Sequence, residues 1–204
     1  LLASPPMHLD IPEGDFAGFI FDCDGTLADS MPLHYRAWCQ AIAAAGATFT
    51  FDEDLFYNLG GTPTRKIVGH INEHYGSSLD SESVALHKER LYLGGLHEVR
   101  PIPEVVDFAR RVAASSPVCV ASGGSNHVVR KTLEYIAVAD LFPILITPEQ
   151  VSRGKPHPDM FLLAAEKMGV EPSRCLVFDD GPVGFRAAEA AGMKWVRVPQ
   201  PGRD

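Results

Sequence analysis

The sequence predicts an α/β protein: an open parallel sheet interrupted by an inserted all-helical module. Three observations carry this. Short apolar runs recur, and most lack alternation, as parallel strands covered on both faces require. Amphipathic helical stretches separate the later runs. From about Pro32 to Val99 the alternation stops, and only helical patterns appear.

Residues 1–15 are polar and proline-rich and are expected to form a tail. The first residues lack the basic start and long apolar stretch of a signal peptide. Ala17–Phe21 is the first strand candidate and stops at Asp22. His34–Ala45 is a helix ended by Gly46. Thr64–Tyr75 is a second, followed by Gly76, and Ser81–Leu93 a third, followed by Gly94 and Gly95. Helices are then expected over Pro103–Ser115, Ser125–Val138, Pro158–Met168 and Val183–Ala191, with Gly169 and Gly192 where helix-ending glycines belong. Strands are expected at Pro117–Ala121, within Leu141–Thr147, at Cys175–Phe178 and at Lys194–Val198. Such a pattern implies right-handed crossovers. The core would comprise residues 16–30 and 100–204, and the helical module residues 31–99.

A chain of 204 residues, 46% hydrophobic and 22% charged, holds one domain with a smaller one inserted. Disorder is excluded for most of it. No apolar run approaches the ~18 residues of a membrane span. The net charge is -8, from 26 acidic and 18 basic side chains, with no basic block. Nucleic acid and anionic membranes are therefore poor partners. If the substrate is itself an anion, a divalent cation, a buried Lys or helix N-termini must offset the repulsion. The four cysteines form no C-x-x-C pair, so reduced structural thiols in a cytoplasmic protein are expected.

Polar residues end three of the strands. Asp22-Cys23-Asp24-Gly25-Thr26 follows the first; Asp-x-Asp-Gly-Thr should arise by chance in roughly 0.2% of chains this long. Ser122-Gly123-Gly124 follows the second; alone it is a common turn, though its hydroxyl and N–H groups suit a phosphate. Lys155, pinned between Gly154 and Pro156, is a candidate to neutralise a carboxylate and an incoming phosphate. Asp179-Asp180 ends a further strand; with Asp22 it offers hard oxygen ligands for Mg²⁺.

Together these motifs resemble the haloacid dehalogenase superfamily, over about Gly18 to Val198. The resemblance implies a Rossmann-like core under a helical cap, of the subgroup holding β-phosphoglucomutases and sugar phosphatases. Pro156–Gly192 is especially similar to fructose-1-phosphate phosphatase-like members. It implies Asp22 as nucleophile, Asp24 as general acid/base, and Ser122 and Lys155 as phosphoryl-binding groups. Gly25, Thr26 and Gly123 would add backbone contacts. The metal set implied is Asp22, Asp24 through its carbonyl, Asp179 and Asp180. Family members often carry Ser where Gly181 stands, which should cost a hydrogen bond rather than a ligand.

Cap residues should select the substrate. Leu59–Lys66 is the expected specificity loop, with Gly61 and Arg65 as contacts. His34 falls where related mutases place a hinge histidine, and Lys88 could reach the site; either could also be an ordinary helix residue. His70 and His74 share a helix face but have no evident third ligand.

The expected function is a Mg²⁺-dependent phosphatase, a monomer acting on a small phosphorylated sugar or related metabolite. One alternative is a β-phosphoglucomutase, which needs cap cations for a second phosphate; Gly60 and Thr64 stand where related mutases carry them. Another is a non-catalytic phospho-ligand-binding protein.

Overall fold

The computed structural model describes residues 7–200. The first six residues of the expected tail lie outside the described residues. In chain order the elements are β1 (Gly18–Phe21), β2 (Ala28–Asp29), α1 (Met31–Ala44), α2 (Glu53–Asn58), α3 (Thr64–Tyr75), α4 (Ser81–Gly94), β3 (Arg100–Pro101), α5 (Pro103–Ala113), β4 (Val118–Ala121), α6 (Asn126–Tyr135), β5 (Ile144–Ile146), α7 (Asp159–Met168), β6 (Cys175–Asp179), α8 (Pro182–Ala190) and β7 (Lys194–Arg197).

Five strands form one sheet in the order β5-β4-β1-β6-β7. Every neighbouring pair is parallel. The chain winds outward from β1 in one direction, then returns to wind in the other. That reversal places the topological switch point at β1 and β6, where open α/β sheets bind their ligands.

Alternate residues of each inner strand enter two separate apolar layers. Phe19 and Phe21 of β1, Val118 and Val120 of β4, and Leu176 and Phe178 of β6 face one cluster, shared with α5 and α6. Ile20, Cys119, Cys175 and Val177 face the other, with Met160, Phe161 and Ala164 of α7 and Ala187 and Ala188 of α8. Both faces are covered, so the strands show no polar alternation in sequence. Helix α7 closes on Gly169 at φ +67°, a left-handed position that glycine adopts without a Cβ penalty.

The inserted helices have a core of their own. Trp38 and Ile42 of α1, Phe51, Phe56 of α2, and Val68 and Ile71 of α3 are buried together. Helix α4 serves both regions: Val84 lies in this cluster, while Tyr92 lies in the sheet's.

The structure adds three elements to the sequence reading. Helix α2 is a fourth helix in the inserted stretch. Strands β2 and β3 pair antiparallel, Ala28 with Pro101 and Asp29 with Arg100. This ribbon ties together the two points where the chain crosses between sheet and helices. The described part of the expected tail also packs: Met7 and Leu9 lie against the core, and the Met7 N–H donates to Glu104 Oε1. Among the described residues no helix is long and apolar enough to cross a membrane.

Phe178 stacks on Phe21 at 4.7 Å and tilts against Phe108 at 4.9 Å. Phe178→Ala should therefore cost about 3–5 kcal/mol. Denaturant unfolding should show a lower midpoint with an unchanged slope.

Candidate active site

Asp22 is held at the end of β1 by its N–H, which donates to Phe178 O of β6 at 2.8 Å. The chain then turns tightly: the N–H groups of Leu27 and Ala28 both donate to Cys23 O at 2.9 Å. The turn brings two carboxylates, two residues apart, into different surroundings.

Asp22 is 3% exposed and faces Lys155. Lys155 Nζ lies 2.9 Å from Asp22 Oδ1 and 2.7 Å from Asp179 Oδ2. Burial opposes the ammonium, but the two carboxylates outweigh it and raise its pKa. Burial pushes Asp22 up to about 7; Lys155 opposes this, while Asp179 and Asp24 add to it. Asp180 is also pushed up, by burial and by the charges of Asp179 and Asp22, with the Gln200 amide opposing through a hydrogen bond.

Oxygen atoms of Asp22, Asp179 and Asp180 lie within 4.8 Å of one another. Three acids and one ammonium leave this pocket short of positive charge, which adds to the burial that raises Asp22 and Asp180. Hard oxygen donors in that arrangement fit a divalent cation.

The Asp24 side chain joins a different set. Ser30 Oγ donates to its Oδ1 at 2.6 Å, and His34 Nε2 lies 2.9 Å from the same oxygen, close but poorly aligned for a hydrogen bond. Burial opposes ionisation of Asp24, yet His34, Ser30 and Lys88 hold its pKa at about 2. His34 Nδ1 is 2.8 Å from Lys88 Nζ. An ammonium can only donate, so Nδ1 accepts and Nε2 carries the proton facing Asp24. Burial lowers Lys88 to about 8. Burial and Lys88 lower His34 as well, against Asp24. The His34 ring stacks on Tyr92 at 3.8 Å. Thr132 Oγ1 donates to Val128 O, so the Tyr92 hydroxyl, 2.9 Å away, donates to Thr132.

Ser122 follows β4, its N–H donating to Ile146 O of β5 at 3.1 Å. Its Oγ accepts from the Gly124 N–H at 3.2 Å. A Cβ on Gly123 would come within 2.2 Å of Gly61 O, so the loop before α3 lies directly on this turn. The half-open cavity, of about 610 Å³ counting the open solvent in its mouth, has Asp22, Asp24, Ser122, Asp180, His34 and Lys88 among its polar lining. Met31, Trp38, Phe56, Leu59 and Ile67 form an apolar wall.

Most expected site residues meet here, but three sit differently. Arg65 is exposed and does not line this cavity; its Nε and Nη2 fork onto Glu82 at 2.5 and 2.8 Å. Gly25 and Thr26 spend their N–H groups internally, on Ala28 O and Cys23 O. Among the described residues no backbone carbonyl accepts from the N–H of Cys23, Asp24 or Gly123. Gly123 thus stays open to a ligand as expected, while in the first turn the open donors are Cys23 and Asp24, ahead of the expected Gly25 and Thr26. The Asp24 side chain stands outside the acid cluster, which leaves the expected contact through its carbonyl unaffected.

The strand-end carboxylates, buried lysine and overlying helices define an α/β enzyme site built at a switch point. The chain belongs to the haloacid dehalogenase-like hydrolases, whose family profile matches residues 16–192. The fructose-1-phosphate phosphatase YqaB of Escherichia coli (strain K12) is 35% identical over 184 residues, 90% of this chain and 96% of its own. The β-phosphoglucomutase of Bacillus subtilis (strain 168) is 27% identical, over 89% of this chain and 82% of its own. A solved hydrolase from Pseudomonas syringae matches with a TM-score of 0.80 at 25% identity, covering 88% of this chain and 83% of that one.

Sequence patterning gave no sign of Gly184, yet a Cβ there would lie 2.0 Å from Asp179 Oδ2. Alanine in a helix is ordinarily more stable than glycine by about 1 kcal/mol. In α8 the sign should reverse: Gly184→Ala must displace the Asp179 carboxylate from Lys155 and lower the melting temperature. Thermal unfolding measures it.

Proposed function

We propose that this hydrolase is a Mg²⁺-dependent phosphatase, cleaving a small phosphorylated sugar or related metabolite through an aspartyl-phosphate on Asp22. The single observation that carries the reading is the Lys155 ammonium bridging Asp22 and Asp179 at 2.9 and 2.7 Å, beneath a cavity that also holds Asp24 and Ser122. The carboxylates of Asp22 and Asp180, the Asp24 carbonyl and Asp179 would hold Mg²⁺. Bound there, the ion would offset charge on the phosphoryl oxygens.

An Asp22 oxygen attacks phosphorus, and the bond to the bridging ester oxygen breaks. The Ser122 hydroxyl, Lys155 and the N–H groups of Cys23, Asp24 and Gly123 supply donors to the phosphoryl oxygens. Asp24 is ionised in the free protein, held at about 2. A phosphate beside it raises that value, so Asp24 takes up a proton as the ester binds and gives it to the leaving alkoxide. The resulting carboxylate then takes a proton from water. The water oxygen attacks phosphorus, the bond to Asp22 breaks, and phosphate leaves.

Residues 31–99 serve as the cap over a core of 16–30 and 100–204, and the β2–β3 ribbon is the natural hinge. Hydrolysis is favoured over mutase chemistry because, among the described residues, Lys88 is the one cap cation lining the first cavity and His34 engages it, while Arg65 is forked on Glu82. The four cysteines are free thiols, in keeping with the cytoplasmic setting we assign.

Asp22→Asn should fold normally and lose more than about a thousandfold in phosphate release across a panel of phosphate esters. Wild-type-like release by that variant would sink the assignment. Chelation with EDTA should abolish activity, and added Mg²⁺ should restore it. Ca²⁺, with its longer bonds and larger ligand number, should restore little. Supplied with β-glucose 1-phosphate and a trace of the 1,6-bisphosphate, the protein should release phosphate faster than it forms glucose 6-phosphate.

A further inference from the structure

A second cavity adjoins the first, and Thr64, Glu89, Gly123 and Ser125 line both. A leaving group whose phosphorus sits over Asp22 would reach the second cavity past these shared residues. Three features there are unused by the catalytic reading.

Ser125 is the N-cap of α6, yet its side chain makes no capping bond. N-cap serines ordinarily accept from the first-turn N–H groups. Here the Oγ is buried without a partner. Next, the N-terminus of α6 would favour an anion, but Glu149 already occupies it: the Asn126 N–H donates to Glu149 Oε1 at 2.9 Å. Lastly, Glu89 projects from α4 into both cavities and forms no salt bridge among the described residues. Arg65 also lines the second cavity; its guanidinium is forked on Glu82, and its charge is felt more weakly by Glu89 and Glu149.

We propose that this end of the cavity is a charge filter, in which Ser125 and Thr64 take uncharged hydroxyls while Glu89 and Glu149 reject a second phosphate. The inference rests on the phosphatase reading and narrows it to monophosphate esters of sugars or polyols with a neutral far end. Discrimination comes from a repulsive element as much as from the hydroxyl contacts. Glu89 is the group to alter, since Glu149 also caps α6.

The test compares fructose 1-phosphate with fructose 1,6-bisphosphate, which share a scaffold and differ by one phosphate. With Mg²⁺, wild-type kcat/KM should favour the monophosphate by about tenfold or more, and the margin should shrink as salt rises. Glu89→Gln keeps the shape and removes the charge. It should raise kcat/KM on the bisphosphate by at least about fivefold while leaving the monophosphate within about twofold. Equal wild-type kcat/KM on the two esters overturns the filter, as does an unchanged ratio in Glu89→Gln. If neither ester turns over, the phosphatase reading suffers, and the filter is judged on binding alone. Titration calorimetry on Asp22→Asn then decides: tighter binding of the monophosphate upholds it, and equal or tighter binding of the bisphosphate overturns it.

Discussion

The contact on which the rest of the site depends is the buried Lys155 ammonium between Asp22 and Asp179. Its three partners come from the end of β1, the end of β6 and the loop between β5 and α7. Only a sheet that places β6 beside β1, both pointing the same way, can present two carboxylates to one ammonium. Removing the ammonium from such a buried set leaves uncompensated negative charge, at a cost of about 3–5 kcal/mol. The cluster is also incomplete by itself, since Asp180 adds a third acid. Strand topology thus dictates a local charge imbalance, and that imbalance makes the site receptive to a cation.

A second polar line gives Asp24 its separate character. It runs from Asp24 through His34 to Lys88, with the imidazole resting on Tyr92. His34 belongs to α1 and Lys88 and Tyr92 to α4, whereas Thr132, the hydroxyl partner of Tyr92, belongs to α6. The inserted helices therefore touch the chemistry of the sheet as well as covering it. Burial raises Asp22 to about 7, while basic neighbours hold Asp24 at about 2. Two carboxylates whose surroundings push them apart are suited to different tasks. In the proposed reaction one is the nucleophile and the other moves protons.

Much of this was legible in the sequence, because the large features follow from periodicity. The five sheet strands appear as apolar runs, and three of them lead directly into the chemistry-bearing residues Asp22, Ser122 and Asp179. The less legible parts have physical reasons. Strands β2 and β3 are two residues long and contain Asp, Arg and Pro, so no apolar pattern marks them. Helix α2 has six residues and one buried side chain, too little for a period. The placement of Arg65 depends on Glu82, a partner from the next helix that spacing does not reveal. The internal bonds of Gly25 and Thr26 depend on how the loop closes on Cys23. Gly184 looks like an ordinary helix glycine until the Asp179 carboxylate is placed beside it.

An overall charge of -8 repels a phosphate ester, so attraction has to be local. The structure divides the charge along the cavity. Lys155 and Lys88 lie at the inner end with the open N–H groups of the Asp22 and Ser122 turns. Glu89 stands where the two cavities meet and Glu149 in the second, which Arg65 also lines while forked on Glu82. A field of that shape acts on orientation as well as affinity, because a molecule charged at one end is drawn in with that end first. A low-dielectric wall, here Met31, Trp38, Phe56 and Ile67, strengthens it by excluding water from the path. Under the proposed function, the acidity of the whole chain then serves selection: it opposes every anion in solution, and only an ester whose single phosphate reaches the inner end recovers the loss.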